Sequence, residues 1–328
     1  TELITGIDLV EQMIRVANKE KLKLSQSDAT INGWAIENRL YAEDPYRNFL
    51  PSIGRLTRYR PPEEFESAEY VIRNDTGVFE GGEISMYYDP MIAKLCTWAP
   101  TREKAIEQMR EALDGFEVEG IGHNLPFLSA VMDHPRFIKG DITTAFIEEE
   151  YPEGFVGVEL AEEELMRIAA SCAAMNRVAE IRRTKISGRM DNHERRVGDD
   201  WIVTLQNKKY ELKIVADHLG STVQFKDGAK IRVEGRWTPG DQLAKMLVDE
   251  TRLTMKVGKI TGGFHIRNRG ADLKVLVRSK IQSELAHHMI EKTPPDTSKI
   301  LMCPMPGLLV KIDVQVGEEV QEGQALCT

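Results

Sequence analysis

Arg39 lies within Trp34-Ala35-Ile36-Glu37-Asn38-Arg39-Leu40-Tyr41, a run that alternates apolar and polar residues. A guanidinium stays protonated in proteins and grips planar anions through two parallel hydrogen bonds. Arg39 is therefore a group that can hold a planar anion. Glu37 shares its face and Glu43-Asp44 follow it, so taken alone Arg39 reads as half of a structural ion pair. A second string, Tyr87-Tyr88-Asp89-Pro90-Met91-Ile92-Ala93-Lys94-Leu95, sets a carboxylate and two phenols ahead of an apolar run. By itself Asp89-Pro90 is a turn. A third, Met302-Cys303-Pro304-Met305-Pro306-Gly307, offers a thiol with no histidine placed in sequence to activate it. Cys303 thus reads as a small hydrophobe rather than a nucleophile.

Other chemistries have less support. Gly77, Gly81 and Gly82 are not followed by a Lys-Ser/Thr pair opening a helix, so they do not form a phosphate-binding loop. Cys96, Cys172, Cys303 and Cys327 are scattered without metal spacing. They read as reduced thiols, which sets aside a structural zinc or a disulfide framework. His287-His288 point about 100° apart on a helix and chelate poorly. No metal site is expected within the chain.

The elements that must carry these residues can be read from periodicity. Leu9, Met13 and Val16 have helical spacing behind Asp8 as N-cap. The alternating run around Arg39 is a half-buried strand, with Ile36 and Leu40 on its inner face. Further strand signals lie at Arg55–Tyr59, Tyr70–Arg73 and Ala93–Trp98. Helices are predicted over 101–115, with Thr101 as N-cap, and over Asn124–Met132. The first ~150 residues are thus mixed α+β, an antiparallel sheet flanked by helices.

After Tyr151-Pro152-Glu153-Gly154 the pattern changes. Residues 160–183 form the longest helical signal, with Leu165, Ile168, Cys172, Met175 and Ala179 as an apolar stripe. Ala169, Ala170, Ala173 and Ala174 keep its other sides small. Such a helix can be surrounded rather than merely covered. Glu162–Glu164 open it and Arg177, Arg182 and Arg183 close it, in keeping with the macrodipole. Seven short alternating runs follow between 201 and 278, the pattern of an antiparallel barrel or sandwich. Between the fourth and fifth, Gln242–Asp249 fits either helix or strand. Lys292–Ser298 reads as a linker, and Lys299–Thr328 alternates again. Both chain ends read as interior sequence.

Composition limits the function classes. The 328 residues correspond to roughly two to three folding units at about 150 each. With 41% hydrophobic and 29% charged residues, the chain is globular rather than disordered. A formal charge of −9 disfavours sequence-independent binding to nucleic acid. No apolar run approaches the ~20 residues that span a bilayer.

In order along the chain, these segments resemble the α subunits of biotin-dependent acyl-CoA carboxylases. The matching strings are Glu37-Asn38-Arg39-Leu40-Tyr41-Ala42-Glu43-Asp44-Pro45, Asn48-Phe49-Leu50-Pro51-Ser52, Asp75-Thr76-Gly77, Tyr87 to Leu95, and Gly122-His123-Asn124-Leu125-Pro126-Phe127-Leu128. In the middle stand Gly235-Arg236-Trp237 and Leu285-Ala286-His287-His288-Met289. Towards the end come Pro304-Met305-Pro306-Gly307 and Val316-Gly317-Glu318-Glu319-Val320.

The resemblance implies three parts. Residues 1–150 would be the C-terminal α+β part of an ATP-grasp biotin carboxylase. Residues 151–293 would be a long helix wrapped by an antiparallel β-barrel, contacting the carboxyltransferase β subunit. Residues 294–328 would be a linker and half of a β-sandwich biotin carboxyl carrier domain. Biotin, ATP and Mg2+ serve the full subunit in this family. The nucleotide-binding half would precede Thr1, and the biotinyl lysine would follow Thr328, so the fragment alone is expected to hold neither cofactor and to be inactive. The arginine matching Arg39 is taken in the family to stabilise the enolate of the ureido group, and Asp89 is a candidate for orienting it. The resemblance further implies six α with six β subunits, possible self-contacts of the carboxylase part, and a bacterial cytoplasmic or mitochondrial matrix location. The middle part favours propionyl over 3-methylcrotonyl or acetyl as the acyl group. A docking scaffold with no activity of its own, and a lipoyl-type carrier, are the competing readings.

Overall fold

Trp34–Tyr41 (β1), Val71–Thr76 (β2) and Met91–Ala99 (β3) form an antiparallel sheet in the order β1-β3-β2, extended beyond β2 by Phe65–Glu66. The structure, a computed structural model, describes residues 1–85, 87–188, 196–290, 300–301, 307–321 and 324–328. The inner residues Leu40, Ile92 and Leu95 share one core with two helices, Arg102–Gly115 (α1) and Leu125–Asp133 (α2). The first supplies Met109, Ala112 and Leu113 to it, and the second Leu125 and Met132. As predicted, Thr101 caps α1 by accepting from the Lys104 N–H, and Asp8 caps Leu9–Ala17 by accepting from the Glu11 N–H.

The single strand predicted over Arg55–Tyr59 is instead two pieces. Gly54–Arg55 pairs with Glu83–Ile84, and Arg58–Arg60 pairs with Glu117–Glu119. At the break Leu56 turns fully into the core, and its N–H and C=O bond to Gly82 and Gly81 while the Thr57 N–H reaches Glu119. The backbone thus passes from one ladder to another without leaving a buried polar group unpaired.

Glu162–Thr184 (α3) confirms the long helix, and what surrounds it is a closed barrel rather than a sandwich. Its eight strands are Asp200–Leu205 (β4), Lys208–Ala216 (β5), Gly220–Phe225 (β6), Lys230–Gly235 (β7), Leu243–Val248 (β8), Thr251–Ile260 (β9), Gly263–Asn268 (β10) and Ala271–Arg278 (β11). β4 closes the ring by pairing with β11. The ambiguous Gln242–Asp249 string contains strand β8, with Ala244, Met246 and Val248 pointing inward at period two. Ala169, Ala170, Cys172 and Ala173 of the helix are fully enclosed with Val203, Ile214, Val223, Ala244, Ile266 and Val275 of the wall. Burial pushes the Cys172 thiol far up from its ordinary range, so it remains a packing group. Gln206-Asn207 and Asp249-Glu250 take positive φ at both positions of their hairpins, the turn geometry that matches strand twist.

The barrel and the first sheet belong to one compact unit, Thr1–His288. The Arg269-Gly270 hairpin tip sits on α2, where a Cβ on Gly270 would come within 2.7 Å of the Pro126 carbonyl. Arg269 bonds the buried Asp114 carboxylate at 2.8 Å and approaches Asp133, which Arg110 also holds, at 2.6 Å. Lys256 donates to the Leu113 carbonyl at 2.9 Å, the end of α1 where a cation is favoured. Burial pushes the Lys256 pKa down to about 8.

The second unit, Met289–Thr328, contains an antiparallel bridge between Ile312 and Cys327. The linker predicted at Lys292–Ser298 lies outside the described residues, as does the Met302–Pro306 part of the third string with Cys303.

Two measurements test this packing. Ala173→Leu adds three carbons at the enclosed helix surface and is expected to destabilise the barrel by ~1–3 kcal/mol, read as a lowered Tm; an unchanged Tm would show space that the packing denies. His123 is pushed down from 6.5 to about 3, by burial first and then by Lys256 and Arg267. Between those pH values the unfolded chain takes up a proton that the folded chain refuses, so stability falls as pH falls through that window. His123→Gln is expected to lose stability less steeply from pH 6.5 to 3 in denaturant titrations; identical slopes would remove His123 as the cause.

Candidate active-site surface

Because strand side chains alternate, the face of β1 opposite Ile36 and Leu40 carries Glu37, Arg39 and Tyr41. The Arg39 Nε bonds Glu37 Oε1 at 2.8 Å, and the guanidinium remains 56% exposed. Its tip is therefore oriented but still reachable from solvent. Glu37, and after it Tyr41, push the Arg39 pKa up, which keeps the cation permanently charged.

Sheet register adds a residue that the sequence alone did not single out. Arg39 lies opposite Lys94 on β3, and Lys94 lies opposite Asp75 on β2. Directly opposed side chains on one sheet face are about 5 Å apart at their Cβ atoms. Among the described residues Lys94 has no ion pair, so two cations stand side by side on this face. The same face also carries the carboxylates of Glu37, bonded to Arg39, and of Asp75, opposite Lys94. Lys94 was within the second string, but only the pairing register sets it beside Arg39.

Asp89 occupies the turn expected of it. Its Oδ1 accepts from the Met91 N–H at 2.9 Å, and Met91 is the β3 residue paired with Tyr41. Its charge, after burial, contributes to raising the pKa of Glu43. The carboxylate paired with Arg39 is that of Glu37, and no Arg39–Asp89 ion pair occurs among the described residues. Tyr87 and Tyr88 are exposed beside this turn.

Asn124 behaves differently from the expected helix start. It makes no side-chain cap bond to α2; instead its carboxamide bonds the β1 backbone at Arg39 and Tyr41. His287 and His288 stand with ring centroids 6.2 Å apart at the end of Lys280–Ala286, on the exposed surface. Among the described residues no group of three or more His, Cys, Asp or Glu is placed to hold a metal ion. No described helix is long and apolar enough to cross a membrane.

Residues 37–149 match the biotin carboxylase C-terminal domain family, and residues 168–292 match the propionyl-coenzyme A carboxylase BT domain family. The propionyl-CoA carboxylase alpha chain of Ruegeria pomeroyi is 70% identical over 100% of this chain and 50% of its own length. The mitochondrial propionyl-CoA carboxylase alpha chain of Mus musculus is 39% identical over 100% of this chain and 45% of its own. The mitochondrial methylcrotonoyl-CoA carboxylase subunit alpha of Mus musculus is 42% identical over 47% of this chain and 21% of its own length. The chain thus spans about half the length of the curated relatives that it matches throughout. The two family matches stand in consecutive positions, one over the Arg39-bearing sheet and the other over most of the enclosed helix and its barrel, and the chain is similar along its whole length to propionyl-CoA carboxylase alpha chains.

Proposed function

We propose that this chain is part of the biotin-carrying α subunit of a propionyl-CoA carboxylase. The full subunit would carboxylate biotin with ATP and bicarbonate, and a β subunit would transfer the carboxyl group to propionyl-CoA. The observation that carries the acyl-group choice is the BT-domain match over residues 168–292, with identity to propionyl-CoA carboxylase alpha chains along the whole chain. The methylcrotonoyl relative matches 47% of it, which disfavours 3-methylcrotonyl-CoA as substrate. The barrel region within 151–293 would dock the β subunit in an α6β6 assembly. A bacterial cytoplasmic or mitochondrial matrix location accords with the sources of the relatives.

Biotin, when bound, supplies a ureido nitrogen to carry the carboxyl group. Arg39 fits this use: its guanidinium is exposed, held at its Nε by Glu37, and next to Lys94 across the strands. Its part is to meet an oxygen that gains negative charge, and a preorganised cation does this without reorganising during the reaction. Lys94 adds positive charge to the same face. In this reading nucleotide handling falls to the rest of the full subunit, and the fragment alone would bind without catalysing. Asp89 would act at one remove, fixing the turn before β3 and so the strand that registers Arg39.

In the intact subunit, Arg39→Met is expected to lower the rate of biotin carboxylation by about 10²–10³ with the α–β assembly unaltered on size-exclusion chromatography. A wild-type rate would overturn the role of Arg39. Asp89→Ala is expected to cause a smaller, several-fold loss that Asp89→Asn restores, since the amide oxygen can still accept from the Met91 N–H. Equal rates in all three proteins would exclude the turn from the mechanism.

A further inference from the structure

β1 is an edge strand: β3 pairs with one side of it, and among the described residues no strand lies on the other. Edge residues present N–H and C=O groups that must find partners when buried. At Arg39 and Tyr41 one residue supplies three such bonds. The Asn124 N–H donates to the Tyr41 carbonyl at 3.2 Å. Its Oδ1 accepts from the Tyr41 N–H at 2.9 Å, and its Nδ2 donates to the Arg39 carbonyl at 3.1 Å. Asn124 is 6% exposed, so water does not replace these bonds.

The side chain therefore acts as a one-residue strand, laid along β1 from more than eighty residues away in sequence. The chemistry needed is narrow. One donor and one acceptor must sit on a short, planar group, which aspartate, leucine and the longer glutamine do not provide. Asn124 also leaves its own helix uncapped, forgoing a bond that asparagine at this position commonly makes. The sheet alone would hold the Arg39 Cα from one side, through its register with Lys94. Asn124 holds it from the other.

We propose that Asn124 is a positioning residue for Arg39, clamping the backbone from which the guanidinium projects. This rests on the role proposed for Arg39 in biotin carboxylation. Misplacing a reacting group by about 1 Å can cost on the order of a hundredfold in rate, and a four-torsion side chain is placed only as well as its root.

The test is a double-substitution comparison in the intact subunit, with kcat and KM for biotin carboxylation as readouts. Asn124→Leu is expected to lower kcat by about ten- to a hundredfold with the KM for ATP unchanged, and to cause no further loss in an Arg39→Met background. Asn124→Asp keeps the acceptor for the Tyr41 N–H but loses the donor to the Arg39 carbonyl, and is expected to fall between wild type and Asn124→Leu. It carries the same comparison if Asn124→Leu does not fold, with circular dichroism confirming native structure. An equal loss in both backgrounds, or no loss in the wild-type background, would overturn the positioning role. Loss of the Arg39→Met effect itself would instead overturn the role of Arg39, so the two failures are distinguishable.

Discussion

The ion pair between Asp114 and Arg269 fixes how the two halves of the large unit meet. Asp114 is almost wholly buried, and burial raises its pKa while Arg269 opposes that shift through charge and hydrogen bonds. Replacing such a pair with apolar residues is often neutral or stabilising, but removing one partner is costly because the other is left buried and unpaired. Its value lies in specificity: few orientations of the barrel tip satisfy Asp114 and Asp133 from one guanidinium. Gly270 completes the fit, since its positive φ and absent side chain let the tip rest on the Pro126 carbonyl. Helix α2, seated in this way, also presents Asn124 to the Arg39 strand. One short helix therefore serves both the junction and the candidate site.

The barrel follows a different logic, that of enclosure. A helix packed on one side needs one apolar stripe, whereas α3 is surrounded and needs small residues around most of its circumference. The run from Ala169 to Ala174 meets that need, and the alternating strands supply the larger Val, Ile, Met and Phe side chains that fill the remaining space. Closing the sheet on itself removes its open edges. Charged side chains keep to the two ends of the helix, where Glu162 is bonded by Tyr210 and Lys208 and the terminal arginines complement the macrodipole, while the buried Ser171 hydroxyl in the middle donates to the Arg167 carbonyl.

At the candidate site, charge is arranged without deep burial. Arg39 and Lys94 share a solvent-facing surface, and Glu37 orients one of them without neutralising both. Such a surface suits an anionic or partly anionic group that arrives and departs. Firmness comes from behind the face, through the buried Leu40 and Leu95 and the Asn124 clamp on the backbone.

Periodicity alone made the helices at Leu9–Ala17, Arg102–Gly115 and Glu162–Thr184 legible, because 3.6-residue spacing and capping residues are local properties. The barrel strands were legible for the same reason, period two between turn residues. Whether they closed into a barrel, and that Gln242–Asp249 carries one of its strands, depended on pairings between distant residues. Arg39 was visible by type and position, and the turn at Asp89 by its Asp-Pro step. Lys94 beside Arg39, Asn124 along the strand edge and the Asp114–Arg269 junction were not visible. Each is a contact across tens of residues or more, set by register and packing, and such contacts leave no spacing pattern in the chain.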